Sequence, residues 1–151
     1  MSNSVCEVLI TQSPLALPAR GIDAASGAMV DFWGIVRALE DGKEITGIEY
    51  EAHREMAEHQ MRGIAERATI EFGLAKVVIH HRIGFVPAGE ASVAVRVQSA
   101  HRAAAFGANQ WIMDELKQTV PIWKNPIYRE MDVSSPAKRP QDSLGSLSAH
   151  A

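Results

Sequence analysis

Five cationic side chains are the best placed in this chain for chemistry: Arg37, His101, Arg102, Lys117 and Lys124. His101 and Arg102 open a stretch with helical spacing, HRAAAFGANQWIMDELKQT, and Lys117 stands near its end. A helix start carries partial positive charge and free N–H groups, so two cations there are mildly unfavourable by themselves. An anion held between the cations and those N–H groups removes the conflict. His101 could stay neutral and serve as a hydrogen-bond donor or proton carrier. Lys117 suits the negative end of a helix and needs no ligand to explain it. Lys124 follows Pro121-Ile122-Trp123. In apolar surroundings its ammonium would lose solvation and its pKa would fall, which is the condition for acid–base work near neutral pH. Arg37 ends a strand-like run before a charged turn. It is either a fork for phosphate or carboxylate, or a solvated strand-end charge. Together these residues point to an anion site with lysines nearby.

Other chemistries find less support. His53 and His59 are six apart, which is not a one-face helical spacing, and His80 and His81 alternate across a strand. With Cys6 as the one cysteine and no His-Glu motif, no metal site is expected. No phosphate loop, glycine-rich dinucleotide fingerprint or serine nucleophile elbow is present. Trp33, Trp111 and Trp123 could stack on a planar ring, but core packing is the expected use.

The chain has 151 residues, enough for one domain with a real core. A formal charge of −3 gives no overall field toward nucleic acid, so no nucleic-acid partner is expected. A single cysteine allows no internal disulfide and suits a reducing compartment. No apolar run reaches the length of a membrane span, and no signal-peptide pattern opens the chain, so a cytoplasmic protein is expected.

These residues must be positioned by elements that the pattern also outlines. Val5 to Thr11 reads as a strand, and Ser13 to Ala25 as a connecting segment. Gly27 to Arg37 has apolar residues on both faces, which predicts a strand covered on both sides. Ile45 to Ala52 reads as its hairpin partner across the turn Glu40-Asp41-Gly42-Lys43. His53 to Phe72 repeats Ala57, Met61, Ile64, Ala65, Ala68 and Phe72 at helical spacing, with Gly73 as the stop. Ala75 to Ile83 and Ala91 to Ser99 read as strands, the second with Val93, Val95 and Val97 facing in. Ser99 is expected to cap a helix from His101 to Thr119, which Pro121 ends. Ile122 to Tyr128 reads as a last strand. The pattern predicts an α+β fold with a mainly antiparallel sheet and two long helices. Residues 1–130 are expected to form a single domain, and residues 131–151, rich in Ser, Pro, Ala and Lys from Ser134, a mobile tail.

The order and spacing of several short runs resemble the large, catalytic subunit of molybdopterin synthase. They are Gly27-Ala28 with Phe32, Gly34, Val36 and Arg37; Tyr50-Glu51; His81-Arg82-Ile83-Gly84; Gly89-Glu90; Ser99 with His101-Arg102; Ala105-Phe106; Asp114 with Leu116-Lys117; and Pro121-Ile122-Trp123-Lys124. The resemblance runs from Val5 to Lys124. It implies an α/β hammerhead fold with a small β-rich part. It implies a homodimer of this chain, with a small ubiquitin-like sulfur-carrier subunit at each end, a heterotetramer. The Gly-Gly terminus of that partner carries a thiocarboxylate, and cyclic pyranopterin monophosphate is the substrate. Two sulfur transfers build the dithiolene of molybdopterin, with no metal and no permanently bound cofactor. By the same resemblance Arg37, His101 and Arg102 surround the substrate phosphate. Lys117 and Lys124 are the active-site lysines, assigned to the donor tail and to the pterin side respectively. Asn125 and Pro126 stand where the family usually has a polar residue and a glutamate. That departure motivates an alternative, a pterin- or partner-binding paralogue without turnover. A structural dimer whose cations are surface groups is a third reading.

Overall fold

In the helices, apolar residues recur on one face. The computed structural model describes residues 5–19 and 21–129. Helix α1 spans Arg54–Phe72 and buries Ala57, Met61, Ile64, Ala65 and Ala68, the stripe that the spacing predicts. His53 caps it, its ring Nδ1 accepting from the Met56 amide at 3.3 Å. Gly73 ends it in the left-handed region, φ 65°, where a residue without a Cβ is favoured. Helix α2 spans Arg102–Thr119 and buries Ala105, Ala108, Asn109, Ile112 and Leu116. No helix among the described residues is long and apolar enough to cross a membrane.

The strands are β1 Cys6–Thr11, β2 Ala28–Ile35, β3 Leu39–Glu40, β4 Lys43–Ala52, β5 Lys76–Arg82, β6 Gly84–Pro87, β7 Ala91–Ser99 and β8 Ile122–Tyr128. They form two sheets. The first has the order β1-β5-β7-β2, with β1 and β5 parallel and the other pairs antiparallel. Both helices pack on one face of it, against Ile10, Val77, Ile79, Val93, Val95 and Val97. The opposite face is polar yet largely covered. Arg96 makes two bonds to Asp31, 2.7 and 2.8 Å, and a third to the Pro18 carbonyl at 2.8 Å. Gln98 donates to the Gly21 carbonyl, so the connecting segment is tied down by side chains of β7. These bonds satisfy polar groups that would be costly to bury unpaired.

The second sheet is built on β4, which pairs antiparallel with β3, β6 and β8. Its core is Val36, Ile45, Ile48, Tyr50 and Val86. Gly47 lets β6 come close, since a Cβ there would sit 2.4 Å from the Val86 carbonyl oxygen. The architecture is α+β and mainly antiparallel, as the pattern predicts.

Three expectations are corrected. Residues 27–37 do not pair with β4. Strand β2 pairs with β7 in the first sheet, from Ala28↔Ser99 to Ile35↔Ala91. Nor is β2 covered on both sides: it is an edge strand, and Phe32, Trp33 and Ile35 are exposed. Hydrophobicity on both faces records contact potential, which this chain alone leaves unmet. Ser99 does not cap the first turn of α2. The cap position belongs to His101, without a side-chain bond, and Ser99 Oγ accepts only from the His101 amide, at 3.4 Å. The tail expected over residues 131–151 lies outside the described residues.

Candidate functional site

Strand alternation sets the position of Lys124. In β8, residues Ile122, Lys124, Pro126 and Tyr128 are half-buried, while Trp123, Asn125 and Ile127 are exposed. The register places Lys124 opposite Tyr50, Pro126 opposite Ile48 and Ile122 opposite Ala52. Lys124 therefore lies on the buried face of the second sheet. Burial pushes its pKa below the ordinary lysine value; Glu40 opposes that shift, and the cations Lys117 and Arg37 add to it.

Tyr50 is buried, and its hydroxyl pKa is raised by burial, with a hydrogen bond from Ser92 opposing and the Glu40 charge adding to the rise. Its ring meets that of His81 edge-on, centroids 5.4 Å apart at 73°. His81 Nδ1 donates to the Arg82 carbonyl at 2.9 Å. A carbonyl can only accept, so the proton sits on Nδ1 and Nε2 keeps its lone pair. Burial lowers the His81 pKa to about 4; the bond to the Arg82 carbonyl opposes this and Lys124 contributes to it. The imidazole is neutral at physiological pH.

Lys117 comes from the last turn of α2. Its pKa is lowered by loss of solvent, and Asp114 opposes the shift. It borders a groove of about 350 Å³ between β2 and α2, lined also by Val30, Phe32, Phe106, Met113 and Asp114. Asn109 holds the walls of the groove together. Its amide donates to the carbonyls of Val30 and Val95, 3.1 Å each.

Arg37 and Lys117, both exposed, are near enough to Lys124 for their charges to act on it. His101 and Arg102 do not join it within one chain. Both are exposed. Arg102 and Lys117 stand at opposite ends of α2, roughly 22 Å apart at the 1.5 Å rise of an α-helix. No acidic residue occupies the first turn of α2, so its positive end faces solvent with two basic side chains. Glu40 and Ser92 were not singled out by the sequence, and Tyr50 and His81 carried no role there. A carboxylate three residues after Arg37 was the available signal for Glu40. Trp33 and Trp123 are exposed, not core residues, whereas Trp111 packs against Phe72 with centroids 6.1 Å apart. Among the described residues no group of three or more His, Cys, Asp or Glu side chains could hold a metal ion.

Several known proteins are similar to this chain in sequence and fold. A protein of Thermoplasma volcanium named molybdopterin synthase catalytic subunit is 42% identical over 115 residues, 76% of this chain and 84% of that protein. The human protein of that name is 40% identical over 109 residues, 72% of this chain. The chain spans only 58% of the human protein's length, and the same share of its rice counterparts. Molybdopterin synthase from Staphylococcus aureus superposes with a TM-score of 0.73 at 31% identity, over 81% of this chain and 91% of that one. Molybdopterin cofactor biosynthesis protein E from Burkholderia multivorans gives 0.71 at 29%, over 80% and 82%. The family model described as MoaE protein matches residues 10–119, a span from β1 to the end of α2 that includes Lys117 but not Lys124, and on that match the chain belongs to the MoaE protein family.

Proposed function

We propose that this chain is the catalytic subunit of a molybdopterin synthase. It transfers sulfur from the C-terminal thiocarboxylate of a small, Gly-Gly-ended, ubiquitin-like subunit to cyclic pyranopterin monophosphate, in the cytoplasm and without a resident cofactor. The observation that carries this reading is a half-buried Lys124, partly stripped of solvent, with the exposed cations Arg37 and Lys117 near enough for their charges to act on it. Fixed cations around a half-buried lysine stabilise a thiocarboxylate and the negative charge that develops during acyl transfer. Lys117, at the mouth of the groove, meets the donor tail. Lys124, against Tyr50, works at the pterin side as acid–base group or fixed charge. Arg37 forks onto the phosphate.

His101 and Arg102 enter through a second copy. Two α2 helices laid antiparallel would set Arg102 of one beside Lys117 of the other. Phe32, 40% exposed, and Phe106, 62% exposed, on the intervening groove supply apolar surface for that contact. The proposed assembly is a homodimer with a small subunit at each end, as the family resemblance implies.

The direct test is dithiolene formation from cyclic pyranopterin monophosphate with the thiocarboxylated partner. Lys117→Ala should lose at least about a hundredfold in rate, in line with the removal of one stabilising donor. Equal rates for the two proteins would remove Lys117 from the site. Pro126 favours a second reading, in which the pocket binds without turnover, because it occupies the Lys124 face of β8 with a group that carries no charge. Calorimetric binding of the pterin with no product would establish that reading, and robust turnover would dispose of it.

A further inference from the structure

Lys124 and Lys117 belong to different layers of the molecule. Lys124 comes from β8 in the second sheet, and Lys117 from α2, which packs on the first. Ile83 and Ile122 pack against the cores of both sheets, so the layers meet through apolar contacts. Apolar burial is non-directional and sets no orientation by itself. Tyr50 adds a directional contact. It belongs to β4 of the second sheet and is only 7% exposed. Its ring meets that of His81, from β5 of the first sheet, edge-on, with centroids 5.4 Å apart at 73°. An edge-on pair fixes the tilt of one ring against the other. His81 is fixed in turn, because its Nδ1 donates to the Arg82 carbonyl at 2.9 Å. Tyr50 therefore has its backbone in one sheet and its ring braced by the other.

The register sets Lys124 directly opposite Tyr50. Directly opposed residues of an antiparallel pair share a face, with Cβ atoms roughly 4.5–5.5 Å apart. The other side chains around Lys124 on that face are apolar: Ile122 and Pro126 on its own strand, Ala52 and Ile48 across from them. A lysine lays its methylene stem along apolar surface and sends its ammonium toward water. Tyr50 carries the largest side chain in this set and the one whose orientation is fixed from outside the sheet. We propose that Tyr50 is the positioning residue for Lys124: its ring, braced by His81, is the wall along which the Lys124 stem lies, and it sets where the ammonium emerges relative to Lys117. The charge of Lys117 acts on Lys124, as that placement requires. A free lysine stem samples many rotamers, and a group that works at one point must be confined to one aim. This inference deepens the proposed function and rests on it only for what Lys124 does, not for what holds it.

The test reads the lysine directly and needs no turnover. In ¹³C,¹⁵N-labelled wild type, nuclear Overhauser contacts should join the methylene protons of Lys124 to the ring protons of Tyr50. Lys124→Met assigns the lysine signals by their disappearance. Absence of those contacts would overturn the proposal, and the measurement does not depend on any Tyr50 variant folding. Titration of the Lys124 Cε signal gives a second reading. In Tyr50→Leu, which removes the ring, water reaches the stem and the midpoint should rise toward the ordinary lysine value. Tyr50→Phe keeps the ring and should keep the wild-type midpoint. Glu40, Lys117 and Arg37, the charged groups that act on Lys124, are the same in all three proteins. The thermal midpoint of each is recorded alongside, since a purely structural role would lower it without moving the lysine signal. A Tyr50→Leu midpoint equal to wild type, or a Tyr50→Phe midpoint moved as far as that of Tyr50→Leu, would overturn the role of the ring. Loss of turnover in Lys117→Ala bears on the sulfur-transfer reading alone, so the two can fail separately.

Discussion

A half-buried lysine and a neutral imidazole define the chemistry at the residue scale. Lys124 loses solvent because β8 turns alternate side chains inward, and a slip of one residue would exchange it for Trp123 and expose it. His81 is neutral because its ring is enclosed and its Nδ1 proton is committed to a carbonyl. That has a consequence for stability. The His81 pKa falls from the usual 6.5 to about 4 in the folded protein, so the unfolded chain binds more protons between those values. The contribution is complete above pH 6.5 and is lost as pH falls toward 4. His81→Gln should flatten the fall of the urea midpoint across that window. A variant with the same slope as wild type would show that other groups carry the acid sensitivity.

At the scale of elements, Asn109 couples α2 to the first sheet. Its amide reaches two carbonyls on neighbouring strands, which fixes the depth at which α2 lies and hence where Lys117 emerges. Asn109→Ala should cost about 1–3 kcal/mol by urea denaturation, the range for stranding buried polar groups. Asn109→Asp should cost at least as much, because a carboxylate has no proton to donate. A near-neutral Asn109→Ala would mean that α2 is held by its apolar stripe alone. That stripe was legible from spacing, since Ala105, Ala108, Ile112 and Leu116 recur on one face. Asn109 was not, because a polar residue in the stripe looks like a break in the pattern until its acceptors are located.

For the whole molecule, the separation of Arg102 from Lys117 decides what must assemble. If each site takes Arg102 from one copy and Lys117 from the other, then Arg102→Ala and Lys117→Ala proteins complement each other. Mixed by unfolding and refolding at equal amounts, half of the dimers are hybrids, and one site in each hybrid is intact. About a quarter of wild-type activity should return. Activity no higher than that of the parents would place both residues in sites confined to one chain. Size measurement across the mixture checks that dimers formed.

The sequence by itself determined both helices, the buried strand β7, the α+β class and the short runs that mark the family. Each of those rests on local periodicity or on residue order, and neither needs a partner in space. It also placed Lys117 at a helix end and Lys124 in an apolar run. Only the tertiary structure decided that β2 pairs with β7 and not with β4, because both pairings satisfy the same alternation and long-range contacts choose between them. Only the structure separated His101 and Arg102 from the lysines, since a helix keeps its ends apart by its length. The surroundings of Lys124 were likewise set in three dimensions: Glu40, Tyr50 and His81 come from three strands, and the electrostatics of a lysine depend on what is nearby in space, not on what is adjacent in the chain.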